Sequence, residues 1–333
     1  MNGKMGEKRG IKMFERLRTI RNIRQIEGDL YRVDYYANYK LEKLLTQGVK
    51  DVDDLLKFVS KELFFGYPIK VNENLLDDEL SACTAFVATT PEGEKIVGRN
   101  FDYAQTGAML VYTRPKNAYA SYSMICLAHL AMCEENNTMP NRLIGKIMAL
   151  TCPFACVDGL NEKGLSVSVL LLDAEPTAQD TGKTPITTTV AVRMLLDKCA
   201  TTDEAVKELE KYDMYSSAGA PYHFLITDAN GKTVVVAWPE QKMVVTNDIF
   251  VTNFQLAPGK DKGVGFGHDR YDIVKDSFEK TKGILSQADA MELLSHVKLP
   301  QATQWSIVYN KTDFSAIICK DMKYDQVHSI KPK

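Results

Sequence analysis

The chain has 333 residues, 45% of them hydrophobic and 25% charged, with a formal net charge of -2. Such a chain buries a sizeable core and has the composition of a folded globular protein. Its near-neutral balance argues for neither a nucleic-acid nor a membrane partner.

Taken in order, residues 1–24 carry eight Lys/Arg and two Glu, with no apolar run behind them, so they do not read as a secretory signal. Leu30–Tyr36 alternates weakly and reads as a strand. Asp51–Phe65 reads as a helix, with Leu55, Phe58, Val59 and Leu63 on one face and Gly66 placed to terminate it. Asn72–Ser81 is polar, acidic and aperiodic, an exposed connector. From Cys83 the texture changes to hairpins. Cys83–Thr90 and Ile96–Phe101 flank the turn 91–95, and Tyr222–Thr227 and Thr233–Trp238 flank the turn 228–232. Met243–Val245 with Ile249–Thr252, and Trp305–Tyr309 with Phe314–Cys319, repeat the pattern. Helices are expected at Thr187–Cys199, from the Thr201/Glu204 capping box to about Tyr212, at Arg270–Lys282 and at Ala288–Val297. Strands in hairpin-linked pairs with helices grouped between them favour an α+β fold of antiparallel sheets covered by helices.

Seven cysteines, an odd number without framework spacing, point to a reduced, cytoplasmic protein. Cys152 and Cys156 flank Pro153 without a second pair, and His129, His268, His296 and His328 are scattered, so no metal site is expected. No cofactor motif is present.

The first hairpin gathers chemistry. Centring its turn near Gly93 puts Cys83 opposite Tyr103, with Asp102 beside it and Arg99 a little further in. An arginine near a thiol favours the thiolate. The same residues also admit a structural reading, since a cysteine at a strand start is more often an inert core residue and Arg99 with Asp102 can be a plain ion pair. An order Cys83, His223, Asn253 roughly fits a papain-like cysteine protease, but a papain-type cysteine opens a helix and Cys83 opens a strand.

The segment Cys83-Thr84-Ala85-Phe86-Val87 and then Val97-Gly98-Arg99-Asn100-Phe101-Asp102 resembles the opening of mature choloylglycine hydrolase family enzymes, which include bile salt hydrolases and penicillin V acylases. Arg99 and Asp102 follow the cysteine by sixteen and nineteen residues, as in that family. Asp158–Leu165, the hairpin His223–Lys232, Val251-Thr252-Asn253, His268-Asp269-Arg270-Tyr271 and Thr303-Gln304-Trp305-Ser306 resemble later family segments in order, so the resemblance spans about residues 83–325. It implies a four-layer αββα N-terminal nucleophile hydrolase fold and hydrolysis of a linear amide in a small N-acyl compound, with no cofactor or metal. Cys83 would be both nucleophile and N-terminal residue, its α-amine taking the thiol proton. Asp102 would hold that amine, Arg99 would stabilise the thiolate, Asn253 would bind the oxyanion, and Arg270 would support the charge network. Family analogy also suggests a homo-oligomer, dimer or tetramer.

Two departures matter. Many family members begin Met-Cys, whereas here 82 residues precede Cys83. The mechanism therefore requires cleavage between Ala82 and Cys83, and the expected organisation is a mainly helical prosegment 1–82, retained after cleavage, and a catalytic domain 83–333. Second, bile salt hydrolases carry an Asn where this chain has Leu171, which weakens any carry-over of bile-salt specificity. The apolar stretch Met139–Phe154 is either an acyl-site lining or an ordinary core helix. A non-catalytic, uncleaved binding protein of the same fold is the alternative from a different class, and acyl transfer to an amine instead of water is an alternative within the fold.

Overall fold

The computed structural model describes residues 13–67, 81–130, 143–256 and 263–331. Its frame is two large sheets packed face to face. The nine-stranded sheet runs, edge to edge, Arg24–Glu27, Leu30–Tyr35, Ala108–Thr113, Ser121–Cys126, Cys156–Asn161, Ser166–Leu171, Tyr222–Thr227, Thr233–Ala237 and Val244–Thr246. The six-stranded sheet runs Phe250–Val251, Ala82–Thr89, Lys95–Asp102, Thr303–Asn310, Ser315–Lys320 and His328–Ile330. Neighbours within both sheets are antiparallel, apart from Leu30–Tyr35, which lies parallel to Ala108–Thr113.

Strand alternation builds the layers. In Thr303–Asn310, Trp305, Ile307 and Tyr309 point between the sheets, where they meet Leu110, Tyr122 and Leu170 of the larger sheet. Val308 points the other way and packs with Phe86 and Ile96 against Val274, Phe278 and Leu294 of the helices His268–Thr281 and Gln287–His296. The outer face of the nine-stranded sheet is covered by Thr188–Lys198, Thr202–Leu209, Leu41–Gln47 and Val52–Leu63, through side chains such as Leu44, Phe58, Val192 and Leu195. The result is the expected αββα sandwich.

Several local expectations are corrected. The hairpin turn centres one residue earlier than expected: Thr90 N–H bonds Glu94 O at 2.8 Å, and Thr89 pairs with Lys95. Cys83 therefore faces Phe101, not Tyr103, and Asp102 faces Ala82. Residues 243–245 and 249–252 do not pair with each other. Val244–Thr246 joins the large sheet beside Thr233–Ala237, and Phe250–Val251 joins the small sheet beside Ala82–Thr89, so the chain crosses between layers there. The capping-box helix ends at Leu209, and Tyr212–Tyr215 is a strand paired with Thr184–Thr187. The described part of the segment before Cys83 is mainly helical, with helices over 13–21, Leu41–Gln47 and Val52–Leu63, but it also gives the large sheet two strands, Arg24–Glu27 and Leu30–Tyr35, which the sequence reading does not assign together as sheet members. Of the connector Asn72–Ser81, only Ser81 lies within the described residues, and residues 139–142 of the apolar stretch lie outside them. Leu143–Met148 is an α-helix and Ala149–Phe154 a buried 3₁₀ segment.

Candidate active site

Cys83 is the second residue of the strand Ala82–Thr89 and is 3% exposed. Its side chain faces the gap between the sheets, with Sγ 3.9 Å from the Val169 carbonyl of the opposite sheet. On the neighbouring strand, Arg99 points into the same gap and donates from Nη2 to Sγ at 3.4 Å. Arg99 is fully buried, and its Nε lies 2.8 Å from Asp158 Oδ2. Tyr309 O–H donates to the other Asp158 oxygen at 2.5 Å. A guanidinium held on one side by a carboxylate thus presents its free edge to the thiol. Its position is set by side chains from three strands; sequence reasoning misses Tyr309 altogether and marks Asp158 only as the start of a family-like segment, without a role.

Asp102 is three residues beyond Arg99 and therefore on the opposite face of the strand. It is fully buried and accepts from Thr303 Oγ1 at 2.5 Å, while Arg270 Nη1 lies 3.5 Å from its other oxygen. Burial pushes its carboxyl above the ordinary value, against the pull of Thr303, Arg270 and Arg99.

Asn253 and Arg270 close the cluster from the far side. Asn253 begins a short strand, Asn253–Phe254, paired with Gly265–Phe266, and the chain then enters His268–Thr281. This brings Arg270, in the first turn of that helix, back over the Cys83 strand. Arg270 donates from Nη1 to the Cys83 carbonyl at 2.7 Å and to Thr84 Oγ1 at 2.9 Å, and from Nη2 to Asn253 Oδ1 at 2.7 Å. The same Oδ1 accepts the Cys83 backbone N–H at 2.9 Å, and Asn253 Nδ2 donates to the Leu171 carbonyl at 2.8 Å. Gly267, at φ +83°, is needed for this return, because a Cβ there would stand 2.5 Å from Arg270 Nη2.

All five sequence-predicted residues, Cys83, Arg99, Asp102, Asn253 and Arg270, therefore meet in one connected network. One detail differs from the expectation. In the intact chain Asn253 holds the Cys83 nitrogen, and Asp102 reaches the cluster through Arg270 and Thr303. The thiol is pushed above its ordinary pKa by burial, with the Asp102 charge adding to the rise; Arg99, Arg270 and the Asp102 backbone N–H oppose it. It is held as a thiol in this state.

His223 does not join the site. Its Nε2 lies 2.8 Å from the Thr252 carbonyl, and burial lowers the ring to about 4, so it is neutral. Cys83 sits in a strand, without the helix N-terminus a papain-type thiol uses.

Cys83 opens onto a cavity whose walls come from both sheets and from the N-terminal segment, among them Phe101, Val169, Leu171 and Phe154. Leu171 lines it with an apolar side chain while its carbonyl holds Asn253. Met148, Thr151 and Phe154, within the apolar stretch singled out from sequence, line it too.

A sequence model described as linear amide C–N hydrolases, choloylglycine hydrolase family, matches residues 83–255. The chain belongs to the choloylglycine hydrolase family. The matched span begins at Cys83 itself. Among solved structures, a mutant conjugated bile acid hydrolase from Clostridium perfringens superposes with a TM-score of 0.53 at 16% identity, covering 75% of this chain and 92% of that one. A second variant of the same bile acid hydrolase gives 0.52, with the same identity and coverage. At that identity the likeness establishes the shared fold. A search of curated proteins found no match. Like other members of this family of amide hydrolases, the chain is an enzyme acting on linear C–N bonds. No helix among the described residues is long and apolar enough to cross a membrane.

Proposed function

We propose that this choloylglycine hydrolase family member is a cysteine N-terminal nucleophile hydrolase that cleaves the amide bond of a small N-acyl compound after its own chain is cut between Ala82 and Cys83. The observation that carries the reading is the pair of contacts on one residue: Asn253 Oδ1 at 2.9 Å from the Cys83 nitrogen and Arg99 Nη2 at 3.4 Å from its sulfur. The nitrogen that must become a free base is already oriented, and the sulfur that must become a thiolate already has its counter-charge.

In the maturation step the Cys83 thiol adds to the Ala82 carbonyl, the C–N bond breaks, and the thiol proton passes to the departing nitrogen. The Ala82 thioester that results is hydrolysed by one water, leaving the Ala82 carboxylate and a free Cys83 amine and thiol. In turnover the amine accepts the thiol proton, and the thiolate attacks the substrate carbonyl. The oxyanion is held by the second hydrogen of Asn253 Nδ2, whose first bonds Leu171. Collapse expels the substrate amine with the proton from the Cys83 ammonium, and water, deprotonated by the Cys83 amine, releases the acid. A freed amine has hydrogens beyond the one now given to Asn253, and in this reading Asp102, paired across the hairpin with Ala82, receives one. Retention of the 1–82 piece is supported by its two strands in the large sheet.

Intact-mass analysis of the purified protein tests the reading: pieces of 82 and 251 residues, together the 333 of the chain, are expected. A single uncut chain that hydrolyses N-acyl amides at wild-type rates would overturn the N-terminal nucleophile assignment. Hydrolysis is favoured over acyl transfer because the family is one of hydrolases. A reduced cytoplasmic setting is supported by Cys83, Cys152, Cys156, Cys199 and Cys319, which are buried and in no disulfide.

A further inference from the structure

The cavity beside Cys83 is walled in part by the segment that the maturation step would sever. Helix Val52–Leu63 presents Val52, Leu55, Leu56 and Val59 to it. These positions are i, i+3, i+4 and i+7, one stripe of a helix. Leu55 and Leu56 are only half-buried, so the stripe is not consumed by packing. The helix cannot slide freely, because its other core residues are fixed. Phe58 packs edge-on against Phe154 with ring centroids 6.1 Å apart, and Tyr39, on the same segment, donates to Asp197 at 2.5 Å. Phe154 itself lines the cavity, so anchor and wall are continuous.

The chemistry of the walls defines what fits. Among the described lining residues the only formal charge at neutral pH is Asp51, the N-cap at the start of the helix. His129 is neutral, since burial lowers its ring to about 4. Lysine and arginine are absent from the described lining, which is mostly apolar and aromatic side chains with uncharged Ser and Thr among them. An anionic group placed there would be desolvated without a counter-charge in the described lining, which is costly.

We infer that the Leu55–Leu56–Val59 stripe of the N-terminal segment is the length gauge for an uncharged, apolar acyl group, so the specificity of the cleaved enzyme resides in the piece that carries no catalytic group. This rests on the amidase reading above. It also makes the severed piece a functional subunit and not a discarded leader.

The test uses the full-length protein as it matures, with acetyl, hexanoyl, decanoyl and palmitoyl amides of one fluorogenic amine. Leu56→Trp is expected to lower the decanoyl-to-acetyl ratio of kcat/KM at least about ten-fold, the scale on which a few methylenes in an apolar pocket are discriminated. Leu56→Ala is expected to move the optimum towards longer chains, and it carries the test alone if the Trp variant does not fold. Folded, cleaved variants with ratios within two-fold of wild type would overturn the inference. A second readout is independent of turnover: protection of Cys83 from methyl methanethiosulfonate by decanamide. If wild type hydrolyses no member of the panel, the amidase reading falls. Protection by decanamide in wild type, lost in Leu56→Trp, would still support the gauge, and its absence in wild type would overturn it.

Discussion

Asn253 is the point at which positioning and chemistry can be separated by experiment, because its two side-chain ends do different things. Oδ1 accepts from the Cys83 nitrogen and from Arg270, and Nδ2 faces the Leu171 carbonyl with a hydrogen to spare. Asn253→Ala removes both ends. It leaves a buried N–H and a buried guanidinium hydrogen without their acceptor, about 1–3 kcal/mol each, so about 2–6 kcal/mol of stability. With unfolding entropy scaling with length, that is a loss of roughly 3–9 °C in Tm for a chain of this size. Asn253→Asp keeps the acceptor, gains a charge beside Arg270, and loses the donor. Its Tm should fall less than that of the alanine variant. Yet its kcat on an N-acyl amide should drop by about 10²–10³, the value of one oxyanion donor, because a carboxylate also repels the developing charge. The assays are differential scanning fluorimetry and steady-state hydrolysis on matured protein, with intact mass confirming cleavage. An Asn253→Asp enzyme with wild-type kcat would refute the oxyanion role, and an alanine variant as stable as wild type would refute the bonding network.

Cys83→Ala should remain a single chain of 333 residues by intact mass and lose amide hydrolysis altogether; cleavage in this variant would assign the cut to another protease. Removing Arg99, whose charge favours the thiolate, should move the pH midpoint of Cys83 alkylation upward in Arg99→Leu. Asp158→Asn should move it downward, since Arg99 then keeps its charge without its carboxylate partner; shifts of the same sign would refute the arrangement. Stability should decline as pH rises beyond about 9. The buried Cys83, Cys152 and Cys156 thiols and the Tyr39 and Tyr309 phenols are pushed above their ordinary values by burial, so the folded state keeps protons that the unfolded chain gives up. Lys311, lowered to about 7, acts in the opposite sense but alone, so a Tm that stays flat from pH 8 to about 10.5 would contradict this account.

Much of the site was legible from local spacing. A hairpin has period-two geometry, so the intervals from Cys83 to Arg99 and Asp102 already placed a thiol, a guanidinium and a carboxylate on adjoining strands. The exact partner of Cys83 was not legible, because a five-residue turn can centre on either of two residues, and a shift of one changes every pairing by two. The Thr201/Glu204 capping box located its helix for a similar reason, as it is a contact between residues three apart.

What lay beyond the sequence was every relation between distant elements. Asn253 and Arg270 reach Cys83 only because the chain leaves the large sheet after Thr246, joins the small one at Phe250, and turns at Gly267. Tyr309 carries no local signature and Asp158 only opens a family-like segment; that both partner Arg99 follows from two sheets stacking and burying them around it. The helix Val52–Leu63 showed its amphipathic stripe in sequence, but periodicity says that a face is covered and not by what. The class of chemistry came from the family resemblance that the Cys83, Arg99 and Asp102 spacing carries, whereas the wall of the cavity was decided by tertiary packing, because only the closed fold determines which apolar face stays partly unfilled beside the thiol.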